Sequence, residues 1–289
     1  MTELHTIAHA KLNLTLDVVG KRPDGYHNLQ MVMQEITLGD EITLTMGTGE
    51  PWLVDCNAAE IPCDESNLAV KAARLFFDRT GLDCGGLTIT LKKRTPICAG
   101  LGGGSSDGAA VLELLYGYYG ESVPERELYA IAEQVGSDVP FALFGGTALA
   151  KEKGQVLTRL PDLPACHIVL CKPDFPVSTP ALYRAIDREE IRRRPDTGVM
   201  LEAIRAGDLA RVAKTLYNVF EPMVTREHPE LGEIRRILME FGALGTCMSG
   251  SGPTMFGIFD DLKQAETVWK VLRERYAATY LAEPVSALF

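Results

Sequence analysis

The run Pro96-Ile97-Cys98-Ala99-Gly100-Leu101-Gly102-Gly103-Gly104-Ser105-Ser106-Asp107 constrains this chain more than any other stretch. A glycine cluster lets backbone N–H groups converge on an anion, and a helical pattern from Gly108 to Tyr118 follows it directly. A helix start adds free N–H groups and partial positive charge. Together these features predict a phosphate cradle. Two commoner glycine signatures fail here. The Walker pattern needs Gly-Lys-Ser/Thr, and the dinucleotide fingerprint needs a third glycine where Ser105 stands. A P-loop NTPase and a Rossmann dehydrogenase are therefore disfavoured.

The 289 residues suffice for two domains with separate cores, and 46% hydrophobic against 24% charged residues is a soluble, globular balance. With 29 basic and 39 acidic side chains the net charge is -10, and no long basic stripe appears, which argues against a nucleic-acid partner. An anionic substrate must then be held by local groups, against the field of the whole protein. The seven cysteines contain no Cys-x-x-Cys pair and fit a reducing compartment. Met1 to His5 lack a basic-then-apolar signal pattern, and no run of about 18 apolar residues occurs, so a cytoplasmic protein without a membrane partner is expected. Composition leaves the oligomeric state open.

Strands are predicted over residues 5–19 and 35–46, an antiparallel start joined by the turn cluster Arg22-Pro23-Asp24-Gly25. Ser66 is the expected cap of a helix running to Gly81. A strand over 86–93, a helix over 107–119 and a second helix from Ser122, closed by a left-handed Gly136, follow. Turn signals at Gly154, Pro161 and Pro164 place a domain boundary near 160, giving domains 1–160 and 161–289. The second half reads as strand, helices, two strands, helix and strand, an α+β pattern.

Several residues could carry chemistry. In the strand Ala8 to Leu16, alternation puts Lys11, Asn13 and Thr15 on one face, and an ordinary half-buried strand has a solvent-facing lysine there. Asp138, after Gly136-Ser137, is either a helix-end cap or a carboxylate that orients a substrate hydroxyl and accepts its proton. Thr246 to Phe256 holds a second small-residue loop, Ser249-Gly250-Ser251-Gly252, which is either a tight hairpin or a further set of backbone donors for a polyphosphate.

Lys11 in its strand, Pro96 to Asp107, Gly136-Ser137-Asp138 and Ser249 to Gly252 resemble, in order and spacing, the three motifs of the GHMP small-molecule kinases. Ala10 to Leu14, Arg22 to His27 and Ser66-Asn67-Leu68 look like the branch whose acceptor is a cytidine-diphosphate-linked methylerythritol of the non-mevalonate isoprenoid route. The resemblance implies a two-domain α+β fold, with an N-terminal domain like ribosomal protein S5 domain 2 and a ferredoxin-like C-terminal domain. It implies transfer of the γ-phosphate of ATP to the acceptor's 2-hydroxyl, with Mg²⁺. By the same similarity Asp138 is the base and Lys11 its cationic neighbour. Asn67, Pro96 and Gly100, Leu101, Gly102, Gly103, Gly104, Ser105 and Ser106 bind the nucleotide, with Ser106 near the metal. Asn13, Tyr26, His27, Tyr183, Ser249 and Gly250 bind the acceptor, Tyr26 and Tyr183 as stacking faces and His27 at the cytosine edge. Cys98 departs from the glycine or alanine more usual in the loop. A different acceptor within the superfamily, and a nucleotide-binding regulator without activity, are the alternative readings.

Overall fold

A computed structural model of the chain describes residues 1–49 and 51–287. Two long strands begin it, β1 (Thr2–Lys21) and β2 (His27–Met46), followed by β3 (Pro51–Cys56), α1 (Leu68–Thr80), β4 (Leu87–Lys92) and α2 (Gly103–Tyr119). Then come α3 (Glu125–Val135), α4 (Val139–Phe144), β5 (Thr147–Glu152), β6 (Val156–Arg159) and β7 (His167–Lys172). The helices α5 (Thr179–Ile186), α6 (Thr197–Ala206) and α7 (Leu209–Thr215) lead to the short β8 (Tyr217–Asn218), α8 (Glu221–Glu227) and α9 (Glu230–Glu240). The chain closes with β9 (Gly245–Met248), β10 (Met255–Phe259), α10 (Leu262–Arg273) and β11 (Ala278–Ala282). None of the described helices is long and apolar enough to cross a membrane.

Two compact units divide the chain, and both long strands contribute to each. The first unit holds residues 1–10, 39–97 and 102–144. Its sheet pairs β2 with β4 antiparallel, and β3 with β4 parallel. The alternation expected over Glu41–Met46 becomes a register: Ile42, Leu44 and Met46 lie opposite Leu91, Ile89 and Leu87, and all six are buried. The core against them comes from Ala69, Ala72, Ala73 and Phe76 of α1, Val111, Leu112 and Leu115 of α2, and Ile131 and Ala132 of α3. Burying a side chain such as Phe76 contributes about 1.5–3 kcal/mol. Small residues set the helix spacing: a Cβ on Gly108 would stand 3.1 Å from the backbone oxygen of Leu68.

The second unit holds residues 11–38, 98–101 and 145–289. Within it β2 pairs with β5, β5 with β6, and β1 runs parallel to β8. A separate antiparallel sheet has the order β11-β7-β10-β9. With helices between β7 and β9 and again between β10 and β11, this is a ferredoxin-like arrangement.

Three local expectations are corrected. Asn67, not Ser66, caps α1: its side-chain oxygen accepts from Ala69 N, while Ser66 turns its own N–H and hydroxyl onto Asp64. Gly136 is extended, with φ -178° and ψ 160°, because the chain leaves α3 straight into α4 and needs no left-handed reversal there. Helix α2 starts at Gly103, four residues earlier than its apolar pattern, behind a left-handed Gly102 with φ 71°. A Cβ on Gly103 would press to 3.0 Å on Thr95 Cγ2, so close packing explains a glycine that helix propensity alone disfavours.

Candidate active site

In the first unit the glycine run is the N-terminus of α2. Gly102, Gly103 and Ser105 are half-buried, Gly104 is exposed, and Ser106 is buried with its N–H and hydroxyl both directed to Gly102 O. The four free N–H groups of a 17-residue helix and its dipole make this turn attractive to phosphate. Pro96 lies half-buried upstream, and Asn67 stands at the start of α1 with its amide donating to Pro62 O and its oxygen capping the helix. That side chain is thus committed to the fold at both ends. Half-buried Asp138 directly precedes α4, where its carbonyl accepts from Ala142 N. The segment is a neighbour of the cradle: a Cβ on Gly136 would stand 3.8 Å from Ser105 Oγ.

Behind the cradle is a buried charge cluster that the motifs do not announce. Lys93 Nζ reaches Asp40 at 2.5 Å and Asp107 at 2.6 Å, and Asp40 also accepts from Arg94 N and Thr95 N. Burial, opposed by Lys93 and reinforced by Asp40, pushes the Asp107 carboxyl up to about 7. Burial lowers the Lys93 ammonium, but Asp107 and Asp40 together outweigh it and raise the group above its ordinary value. The cluster ties the end of β4 to β2 and to the first turn of α2.

In the second unit the polar residues of β1 are not at a solvent face. Lys11 is 6% exposed and Asn13 and Thr15 are fully buried, which corrects the half-buried reading of this strand. Lys11 Nζ donates to Asn13 Oδ1 at 2.6 Å, and Lys11 N donates to Leu101 O. The two small-residue loops close on one another. Ser249 Oγ donates to Gly100 O and accepts from Asn13 N. Gly100, with φ +73°, has no room for a Cβ, which would overlap the backbone oxygen of Ser249. Gly250, with φ +57°, faces Gly100 O in the same way. The hydroxyl of Ser249 is therefore a tie between loops. Asn218, fully buried, holds the same turn by donating to Met248 O and Gly250 O. Nothing in the sequence marks Asn218, since its role depends on a fold that returns it to residues 30 positions later.

A third group surrounds the turn Arg22 to His27. Arg22 N donates to Tyr26 O, Gly25 takes φ +85°, and the Tyr26 ring is exposed with Lys153 Nζ 4.3 Å from its centroid. His27 stacks on Tyr183 at 4.9 Å and 23°, and Tyr183 meets buried Phe220 edge-on. His27 Nε2 lies 2.7 Å from Asp187, whose other oxygen accepts from Lys21. Sequence reading missed Asp187, the C-cap of α5. Hydrogen bonds from Lys21 first and His27 second hold its carboxyl below the usual range.

Among the described residues no cluster of three His, Cys, Asp or Glu side chains could hold a metal ion. The hydroxyl of Ser106 donates to Gly102 O, a bond that leaves its two lone pairs unused.

Comparison with known proteins bears on this geometry. Residues 67–146 match the GHMP kinase N-terminal domain and residues 200–278 match the GHMP kinase C-terminal domain. A 4-diphosphocytidyl-2-C-methyl-D-erythritol kinase of Clostridium kluyveri is 40% identical over 96% of this chain and 99% of its own length. One from Clostridium botulinum is similar to the same extent, 40% over 96% and 99%. Among solved structures, a 4-(cytidine 5'-diphospho)-2C-methyl-D-erythritol kinase superposes with a TM-score of 0.83 at 33% identity, covering 98% of this chain and 100% of that one. A homoserine kinase from Cytophaga hutchinsonii shares the fold, with a TM-score of 0.79 at 16% identity over 99% and 96% of the two chains. With both GHMP kinase domains matched and full-length relatives at 40% identity, the chain belongs to the GHMP kinase family.

Proposed function

We infer that this chain uses ATP to phosphorylate the 2-hydroxyl of 4-diphosphocytidyl-2-C-methyl-D-erythritol, a step towards isoprenoid precursors. The observation that carries the acceptor is the Asp24-Gly25-Tyr26-His27 turn with His27 stacked on Tyr183, an aromatic and edge-reading pair suited to a nucleobase. Full-length relatives of the same named activity at 40% identity support it.

Phosphoryl transfer asks for positioning and charge stabilisation more than covalent chemistry. In this reading Gly102, Gly103, Gly104, Ser105 and Ser106 bind the ATP phosphates through the N-terminus of α2, with Pro96, Gly100 and Leu101 shaping the approach. Asn67 adjoins the adenine through its backbone, because its side chain caps α1. Ser106 would hold Mg²⁺ together with the ATP phosphates, and the ion when bound would supply charge neutralisation of the transferring group. Asp138 orients the acceptor hydroxyl and takes its proton. Lys11 compensates negative charge, and Asn13 fixes the Lys11 ammonium through the 2.6 Å hydrogen bond. Tyr26 and Tyr183 offer stacking faces, worth about 1–3 kcal/mol per base. Ser249 and Gly250 keep the acceptor side in shape through Gly100. In this reading residues 1–160 serve the nucleotide and 161–289 the acceptor, in a reducing cytoplasm, a location that seven cysteines without a Cys-x-x-Cys pair support.

ADP release with the cytidylyl acceptor tests this, beside mevalonate, homoserine and galactose. Turnover is expected with the cytidylyl acceptor alone, and Asp138→Asn is expected to lower kcat about 10²–10⁴-fold. Equal turnover with mevalonate, homoserine or galactose, or an unaffected Asp138→Asn enzyme, overturns the reading.

A further inference from the structure

We propose that Asp187 is a positioning residue that sets the proton on His27, so that the site selects a pyrimidine bearing an exocyclic amine over its oxo counterpart. The proposal rests on the functional reading above, in which His27 meets the base edge.

The argument starts from the donor inventory. An ionised carboxylate only accepts, so the 2.7 Å approach of His27 Nε2 to Asp187 Oδ1 requires the imidazole proton on Nε2. Lys21 Nζ, 2.5 Å from Oδ2, occupies the second oxygen and keeps the carboxylate ionised and in place. When the ring so held is neutral, its lone pair is on Nδ1, the only other polar atom it possesses. Its plane is fixed as well. The ring stacks on Tyr183, which is itself braced edge-on by Phe220, 1% exposed. The imidazole side chain is 8% exposed, so its orientation comes from these partners and not from water.

An Nδ1 acceptor complements an amine, as on cytosine, and confronts a second acceptor on uracil. A site that leaves two buried acceptors facing each other rejects the wrong base through an unpaired polar group. Asp187 thus acts through His27. With Asn at 187, the side-chain amide can donate to Nε2, and the proton can move to Nδ1, which turns the acceptor into a donor.

Two measurements test this. The first is ¹⁵N NMR of the His27 ring in the full-length protein at pH 8, where the Nε2–H tautomer is expected; an Nδ1–H tautomer overturns the proposal. The second compares kcat/KM for the cytidylyl acceptor and its uridylyl analogue in wild type, Asp187→Asn and Asp187→Glu. The wild-type preference for the cytidylyl acceptor is expected to fall at least about tenfold in Asp187→Asn, through KM, with kcat and the KM for ATP within about twofold, and to return largely in Asp187→Glu. Discrimination unchanged while every acceptor slows equally would mean a structural role and overturn the proposal. A wild type that accepts both acceptors equally overturns the proposal while the functional reading stands. A wild type that turns over neither overturns both.

Discussion

Replacing Lys93 by Met tests the charge cluster beneath the phosphate cradle. The side chains of Lys93, Asp40 and Asp107 are 7%, 0% and 4% exposed, so water does little to screen them. Methionine matches the stem and removes the ammonium, which leaves the Asp40 and Asp107 carboxyls buried together without their shared cation. Two backbone donors, Arg94 N at 2.6 Å and Thr95 N at 2.7 Å, still serve Asp40 Oδ1. Its Oδ2 loses its partner. Breaking a buried pair from one side costs about 3–5 kcal/mol. A loss of about 3–5 kcal/mol is therefore expected in urea unfolding at pH 7, read by circular dichroism. The double variant Lys93→Met with Asp40→Asn should recover most of it, since Asn keeps the acceptor for Arg94 N and Thr95 N and carries no charge. A loss below about 1 kcal/mol in the single variant, or no recovery in the double, would refute burial of an uncompensated carboxylate as the cause.

Asp107 gives a prediction in pH. Its folded carboxyl, raised to about 7, binds a proton more tightly than the unfolded one, so its contribution is complete below about pH 3.9 and is lost as pH rises through 7. Stability of the wild type should fall over that window, and Asp107→Asn should flatten the fall; equal slopes in urea midpoints at pH 5, 6, 7 and 8 would contradict it. Gly100→Ala should cost about 2–4 kcal/mol, because it adds left-handed strain at φ +73° to a backbone overlap with Ser249, and it should raise the KM for ATP; a variant as stable as the wild type would show that the two loops can part freely.

The parts of the fold visible in the sequence were those governed by local chemistry. Period-two alternation from Glu41 to Met46 became the register against β4, and the glycine run became a helix start. Local chemistry misled where close packing sets the rule. Gly103 is a glycine inside a helix because a Cβ there would press to 3.0 Å on Thr95 Cγ2, and alternation in β1 suggested a wet face where Lys11, Asn13 and Thr15 are all buried. Ownership of a polar atom is likewise decided by the folded geometry. Asn67 reads as a ligand contact from its motif, yet both ends of its amide are taken by Ala69 N and Pro62 O. Asn218, Lys93 and Asp187 carry no motif at all, and each acquires its meaning from partners 14 to 166 residues away, such as Asp107 for Lys93 and Lys21 for Asp187. In the described site, then, the residues proposed to touch ligand are legible from motifs, while those that fix them in place are legible only from contacts. The consequence is that substitution at the unmarked positions should separate geometry from chemistry: on the proposed function, removing Asp138 takes away a reacting group, whereas removing Asp187 leaves every reacting group present and is expected to move the proton on His27 and release Lys21.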